Sequence, residues 1–283
     1  MIEVKNLTKA YGDHTVVDNL NVKLYNGRIY GIFGADGAGK STLMNLMTGC
    51  LAPTSGTVRI NGFDVVKESV KAKKCIGYLP QLPPVYESMT PYEYLMFVAE
   101  ARGVSYERAM RQVQSVMDMM DLVELRDRLI KNLSDSERLF VSLAQTLMGN
   151  PDIILLDEPT KGLAPKQVAE IHSVIRSLGE NKTVILSSCF AEEIKELCHH
   201  VLILADGRLI ANAPVEELSD EDLAKVSSGE RIAEPSAEDL QEAEVSKKAA
   251  RPKKNEKKLV KEPERDGEYE LIDDENEQEE GED

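Results

Sequence analysis

Eight consecutive residues restrict the fold of this chain more than any others: Gly34-Ala35-Asp36-Gly37-Ala38-Gly39-Lys40-Ser41 satisfies G-x-x-x-x-G-K-[ST] at every fixed position. The pattern has a mechanical meaning between a strand and a helix, where successive backbone N–H groups and a helix N-terminus converge on one phosphate. Both flanks are present. Arg28 to Phe33 reads as a buried strand, and Lys40 to Met47 reads as a helix stopped by Gly49. In such a loop the glycines let the main chain wrap closely and Lys40 neutralises the terminal phosphates. Ser41 holds Mg²⁺ alongside them, and Thr42 lends its hydroxyl to a neighbouring phosphate.

A phosphate loop needs acids to complete a metal site, and Ile153-Ile154-Leu155-Leu156-Asp157-Glu158 supplies two at the end of an apolar strand. Asp157 would hold the metal, directly or through water, and Glu158 would polarise the attacking water as general base. Short strands at Ile2 to Leu7, Val16 to Leu24 and Thr57 to Ile60, separated by Tyr11-Gly12-Asp13, Asn26-Gly27 and Asn61-Gly62, predict an antiparallel sheet at the start. Pro91 to Met148 has helical period, with Met117, Met119 and Met120 read as core filling. Asp152 to Asp157 and Thr183 to Ser187 read as strands of a central, mostly parallel sheet.

Charge and cysteine usage bound the rest. Of the 50 acidic and 34 basic side chains, residues 1–210 carry 25 and 23, so the body is near neutral and residues 211–283 hold the acidic excess. Neutrality argues against a sequence-independent nucleic-acid binder, which needs a basic surface to displace counterions. From about Ser227 the chain turns to Glu, Lys, Ser and Pro, with a basic block (Lys247 to Lys261) and an acidic end (Asp273 to Asp283). That segment reads as a solvated tail, or as a tether that binds a partner through its charge blocks. No run of about 20 apolar residues is present and Met1 to Lys5 does not resemble a secretion leader, so attachment to a membrane is expected through another protein. Four scattered cysteines read as reduced thiols of the cytoplasm, and Cys198-His199-His200 as packing, not metal ligation.

In motif order, residues 1 to about 215 resemble the ATP-binding subunits of ABC transporters. The resemblance implies an α/β P-loop NTPase of the ABC ATPase type, with a central mostly parallel sheet, an N-terminal antiparallel β subdomain and an α-helical subdomain at about 85–150. The ATPase domain would span 1–218 and the charged tail 219–283. It further implies that Tyr11 stacks on adenine and that Gln81 reaches Mg²⁺ and the attacking water and reports nucleotide state to the permease. Thr90-Pro91-Tyr92-Glu93-Tyr94-Leu95 and Gly49-Cys50-Leu51-Ala52-Pro53-Thr54-Ser55-Gly56 are similar to the branch serving ABC-2 type exporters, in which residues around Pro83 to Tyr94 would receive the permease. The partners implied are a separate transmembrane permease and a second ATPase subunit, with the chain peripheral on the inner face of the membrane.

Three motifs depart from the family. Its Leu-Ser-Gly-Gly-Gln is here Leu133-Ser134-Asp135-Ser136-Glu137, which puts side chains and two carboxylates where accessible backbone N–H groups cap the other subunit's nucleotide. Ser134 and Glu137 also fit a capping box, so the segment starts a helix well. Ala164 stands where an aspartate links the two sites, and Cys189 where a histidine bonds the terminal phosphate. Cys189 would impair this subunit's own site, and the other two the opposite one. A homodimer would be impaired at both sites, a mixed dimer with an intact relative asymmetrically. Two functions remain: an ATPase driving an exporter, or a nucleotide-gated module with little hydrolysis.

Overall fold

The computed structural model describes residues 1–219 together with Glu221, Leu223 and Val226. The chain opens with β1 (Ile2–Tyr11), β2 (His14–Leu24) and β3 (Ile29–Phe33), which runs through the glycine-rich loop into α1 (Lys40–Met47). Next come β4 (Ser55–Ile60), β5 (Phe63–Asp64), α2 (Ser69–Lys74) and β6 (Ile76–Leu79). The helical stretch resolves into α3 (Pro91–Ala101), α4 (Tyr106–Met119) and α5 (Asp135–Thr146). The last third alternates: β7 (Ile153–Asp157), α6 (Pro165–Gly179), β8 (Thr183–Ser188), α7 (Ala191–Leu197), β9 (His200–Ala205) and β10 (Arg208–Pro214).

Two sheets result. β2-β1-β4-β5 is antiparallel, and β10-β9-β3-β8-β7-β6 is parallel except for its β9–β10 edge. Side chains of the larger sheet alternate between two cores as the pleat requires. Ile153, Leu155 and Ile185 join α1 and the antiparallel sheet on one face. Ile154, Leu156, Val184 and Leu186 face the helices on the other. Each such fully buried side chain contributes about 1.5–3 kcal/mol, and a strand buried on both faces reads as an unbroken apolar run, as β7 does.

Helix boundaries follow local chemistry. Thr90 caps α3, accepting the Glu93 N–H at 3.2 Å while Glu93 Oε2 accepts the Thr90 N–H at 2.9 Å, and Pro91 takes the first helical position. α4 buries Ala109, Val113, Val116 and Met117 along one stripe. Met117 and Met120 are core residues, but Met119 is 51% exposed, which corrects its assignment to the core: two positions past Met117 is the far side of a helix. Leu223 and Val226 are buried in the helix-side core, so apolar packing extends beyond residue 218. The rest of the expected tail, with its basic and acidic blocks, lies outside the described residues.

Strand order sets up the site. The phosphate loop follows β3 and the acidic pair ends β7, with β8 alone between them, so both open at the same carboxyl edge of the sheet, where α/β proteins place ligands.

Candidate functional site

Backbone close approach shapes the loop. Gly39 has φ 101° and a Cβ there would lie 2.7 Å from the Val16 carbonyl oxygen of β2, so a side chain is excluded on two counts. The Gly207 N–H donates to the Ala38 carbonyl at 3.2 Å, tying the β9–β10 turn to the loop. Lys40, 4% exposed, lies back along the loop and donates to the carbonyls of Gly34 and Ala35, both at 3.0 Å. Asp36, Gly37, Gly39, Lys40, Ser41 and Thr42 line an open cleft of 370 Å³, together with Val16, Gln81, Glu158 and Lys161.

The two acids are held in different ways. Asp157 is buried and its Oδ1 accepts a 2.6 Å hydrogen bond from the Ser187 hydroxyl of β8. That same Ser187 oxygen accepts the Glu158 N–H at 2.9 Å, fixing Glu158 at a φ of 49° that only over-determined non-glycine residues hold. Glu158 thereby turns into the cleft. Its Oε1 is 3.3 Å from Lys40 Nζ, and its Oε2 accepts from Gln81 Nε2 at 2.9 Å and pairs with Lys161 Nζ at 2.7 Å.

The structure therefore brings Lys40, Glu158 and Gln81 into contact, with Asp157 adjacent. Sequence reasoning missed Ser187 and Lys161. A serine in an apolar strand carries no chemical mark, but Lys161 stands three residues after Glu158, a spacing that pairs charges in a turn. Lys161 Nζ also meets Asp36 Oδ1 at 3.2 Å, and its bond to Glu158 foremost, with that to Asp36, holds the ammonium above the ordinary lysine range.

Cys189 has ligand-type atoms of Asp36 and Glu158 as neighbours, all three within 4.8 Å of one another. Burial, followed by the Glu158 carboxylate, pushes its thiol up from the ordinary value, which disfavours a thiolate at this position. Tyr11 is not among the residues lining the cleft. It ends β1 53% exposed, with Lys9 Nζ 5.0 Å from the ring centroid.

The remaining departures lie away from the cleft. Ser134 caps α5 in a reciprocal box with Glu137, whose Oε2 accepts the Ser134 N–H at 2.7 Å; Ser134 Oγ stands 3.2 Å from Ser136 Oγ. Asp135, 97% exposed, pairs with Arg138 at 2.7 Å. Ala164 precedes α6, its N–H donating to Gln167 Oε1 at 3.0 Å. Cys198 is buried in the core and His199 Nδ1 accepts the Ile29 N–H at 3.0 Å, as packing requires.

The donor set fits magnesium and a triphosphate. Mg²⁺ prefers hard oxygen ligands, and Asp157 offers a carboxylate, Ser41 a hydroxyl, and Gln81 its amide oxygen, since its nitrogen is used on Glu158. Among the described residues no helix is long and apolar enough to cross a membrane.

Comparison with known proteins agrees with this geometry. The family described as ABC transporter matches residues 17–161. The Nod factor export ATP-binding protein I of Cupriavidus metallidurans is 31% identical over 79% of this chain and 74% of its own. The linearmycin resistance ATP-binding protein LnrL of Bacillus subtilis is 32% identical over 75% and 68%. Among solved structures, the ATP-binding cassette MJ0796, a dimer in a post-hydrolysis state with ADP and Pi, superposes with TM-score 0.70 at 25% identity, covering 77% of this chain and 100% of that one. Phosphate loop, acidic strand end and overall fold thus agree: the chain belongs to the ABC transporter family, as one of its ATPase cassettes.

Proposed function

We propose that this cassette binds MgATP in the cleft, closes on a second ATPase subunit around the nucleotide, and passes that closure to a separate membrane permease of an ABC-2 type exporter. The observation that carries the reading is the convergence of Lys40, Gln81 and Glu158 on one carboxylate-centred cluster beside the phosphate loop. Lys40 exchanges loop carbonyls for the terminal phosphates, Ser41, Asp157 and Gln81 hold Mg²⁺, and Glu158 takes the proton of the attacking water. Tyr11 is the platform for adenine, on the sheet whose Val16 lines the cleft. The names of the relatives, an exporter and a resistance protein, support export as the direction.

The surface around Pro83 to Tyr94 suits a docking partner. Leu82 is 88% exposed, and Tyr86 stands out of the helical lobe with its ring 6.0 Å from Tyr94 and 5.5 Å from Phe97. An exposed apolar and aromatic group of this kind is what a coupling helix buries. Through that contact the cassette would sit on the inner face of the membrane.

Cys189 favours a second reading, a nucleotide-gated module with little turnover, because a protonated thiol beside Glu158 does not replace a histidine on the terminal phosphate. One set of measurements separates them. Titration with MgATP should saturate, and Glu158→Gln should keep that binding while lowering turnover by about 10²-fold or more. Turnover indifferent to Glu158→Gln, with binding intact, leaves the gating module standing; no saturable binding ends both.

A further inference from the structure

Resting on the reading of the cleft as a MgATP site, we infer that Lys161 is a second cationic contact for the terminal phosphate, beside Lys40, in this subunit's own cleft, in place of the histidine that Cys189 displaces. Three observations converge. Lys161 lines the cleft alongside Lys40, Ser41, Thr42, Gln81 and Glu158, so its ammonium shares their cavity. It lies 2.7 Å from Glu158 Oε2 and 3.2 Å from Asp36 Oδ1, bridging the general base and the phosphate loop. Those two carboxylates and the Cys189 sulfur place ligand-type atoms within 4.8 Å of one another, so the lysine serves the corner of the site where Cys189 supplies no charge.

The chemistry of the ammonium fits that task. It carries three N–H donors, of which two are directed at Glu158 and Asp36, leaving the third for an incoming anion. The side chain lines the cleft and is 37% exposed, so it can turn toward a phosphate without unpacking the core. Its backbone is anchored: the Lys161 N–H donates to the Glu158 carbonyl at 3.2 Å, which keeps the ammonium and the base in one turn. The cluster of Asp36, Glu158 and Cys189 is accordingly no metal centre of its own, because a lysine already bridges both carboxylates. A point charge on a flexible stem replaces a flat ring as the reader of the third phosphate.

Binding distinguishes this assignment from a surface ion pair without needing turnover. The whole 283-residue chain, unaltered and as Lys161→Met, Lys161→Arg and Lys161→Met/Cys189→His, is titrated with MgADP and with the non-hydrolysable analogue AMP-PNP plus Mg²⁺. Lys161→Met should lose roughly tenfold in affinity for AMP-PNP, the effect of one charge contact at a partly wet site, while MgADP affinity stays unchanged. Lys161→Arg should keep the discrimination, and adding Cys189→His to Lys161→Met should restore it. Equal loss for both nucleotides, no loss for either, or tighter AMP-PNP binding by Lys161→Met overturns the inference alone; the last would make Lys161 a plug that nucleotide must displace. Failure of the unaltered protein to bind either nucleotide overturns the MgATP reading and this inference with it.

Discussion

Cys189 and Ser187 sit two positions apart on one strand end and show how differently single residues announce themselves. Ser187, fully buried, orients both acids of the site through one hydroxyl, donating to Asp157 and accepting from Glu158. Nothing in the run Thr183 to Ser188 separates it from its neighbours before the strands are paired, because its partners are about thirty residues away. Cys189 is conspicuous by contrast, since a thiol lacks both the reach and the charge of an imidazole. Burial and the Glu158 carboxylate raise its pKa, which disfavours the nucleophilic thiolate at neutral pH. Iodoacetamide should therefore modify Cys189 slowly at pH 8, with a rate that climbs only beyond the ordinary thiol value of about 8.5. Glu158→Gln removes the repelling charge and should move that climb to lower pH. Peptide mass spectrometry after timed alkylation follows the site directly; a rate already at its plateau near neutrality would contradict the protonated thiol.

At the scale of elements, the altered motif at the head of α5 is a well-made helix start. Ser134 and Glu137 satisfy each other's backbone N–H groups, and Glu137 folds back onto the cap, so Asp135 is the carboxylate that projects into solvent. Ser134→Ala should cost about 1 kcal/mol. The Ser134 N–H, then its hydroxyl, hold the Glu137 carboxyl below its ordinary range. A carboxylate depressed on folding stabilises the native state above its unfolded pKa, about 4.3, and that contribution disappears as pH falls through the folded value. The stability gap between the unaltered protein and Ser134→Ala should accordingly shrink below pH 4 in urea melts; a gap constant from pH 7 to pH 3 would deny Glu137 its part. This cap was legible because serine, two intervening residues and glutamate are local. So were β3, α1 and β7, whose apolar runs and glycines fix their own geometry. The β9–β10 hairpin escaped notice although Asp206-Gly207, with φ of 48° and 77°, is a turn pair suited to a tight hairpin between apolar runs. Strand order, and hence the meeting of Lys40 with Glu158, is set by packing between distant segments and has no local trace.

Across the whole molecule, the proposed closure would need Gln81, which touches Glu158, and the head of α5, which is not among the residues lining the cleft, to move together. The junction is the crossing of β6 by the end of α5. Gln145 Nε2 of α5 donates to the Tyr78 carbonyl of β6 at 3.0 Å, and Arg102 at the end of α3 donates to the Ile76 carbonyl at 3.0 Å. Gly77, between those two residues, is what allows the approach. A Cβ there would lie 2.0 Å from the Thr146 carbonyl oxygen, which as helix backbone cannot swing aside, and 2.9 Å from Ile154 Cδ1. Gly77→Ala should therefore force α5 off the strand, at a cost of about 1–3 kcal/mol. For a body of this size that is a fall in Tm of roughly 3–10 °C. Because β6 runs directly into Gln81, the same substitution should weaken the Gln81–Glu158 contact and lower MgATP affinity, although residue 77 is not among those lining the cleft. Thermal melts with and without MgATP test both effects together: the variant should melt lower without nucleotide and gain less from it. Unchanged melting would mean that α5 and β6 are not pressed together as the geometry requires, and lower melting with full nucleotide stabilisation would mean that the junction holds the fold together without reaching the cleft.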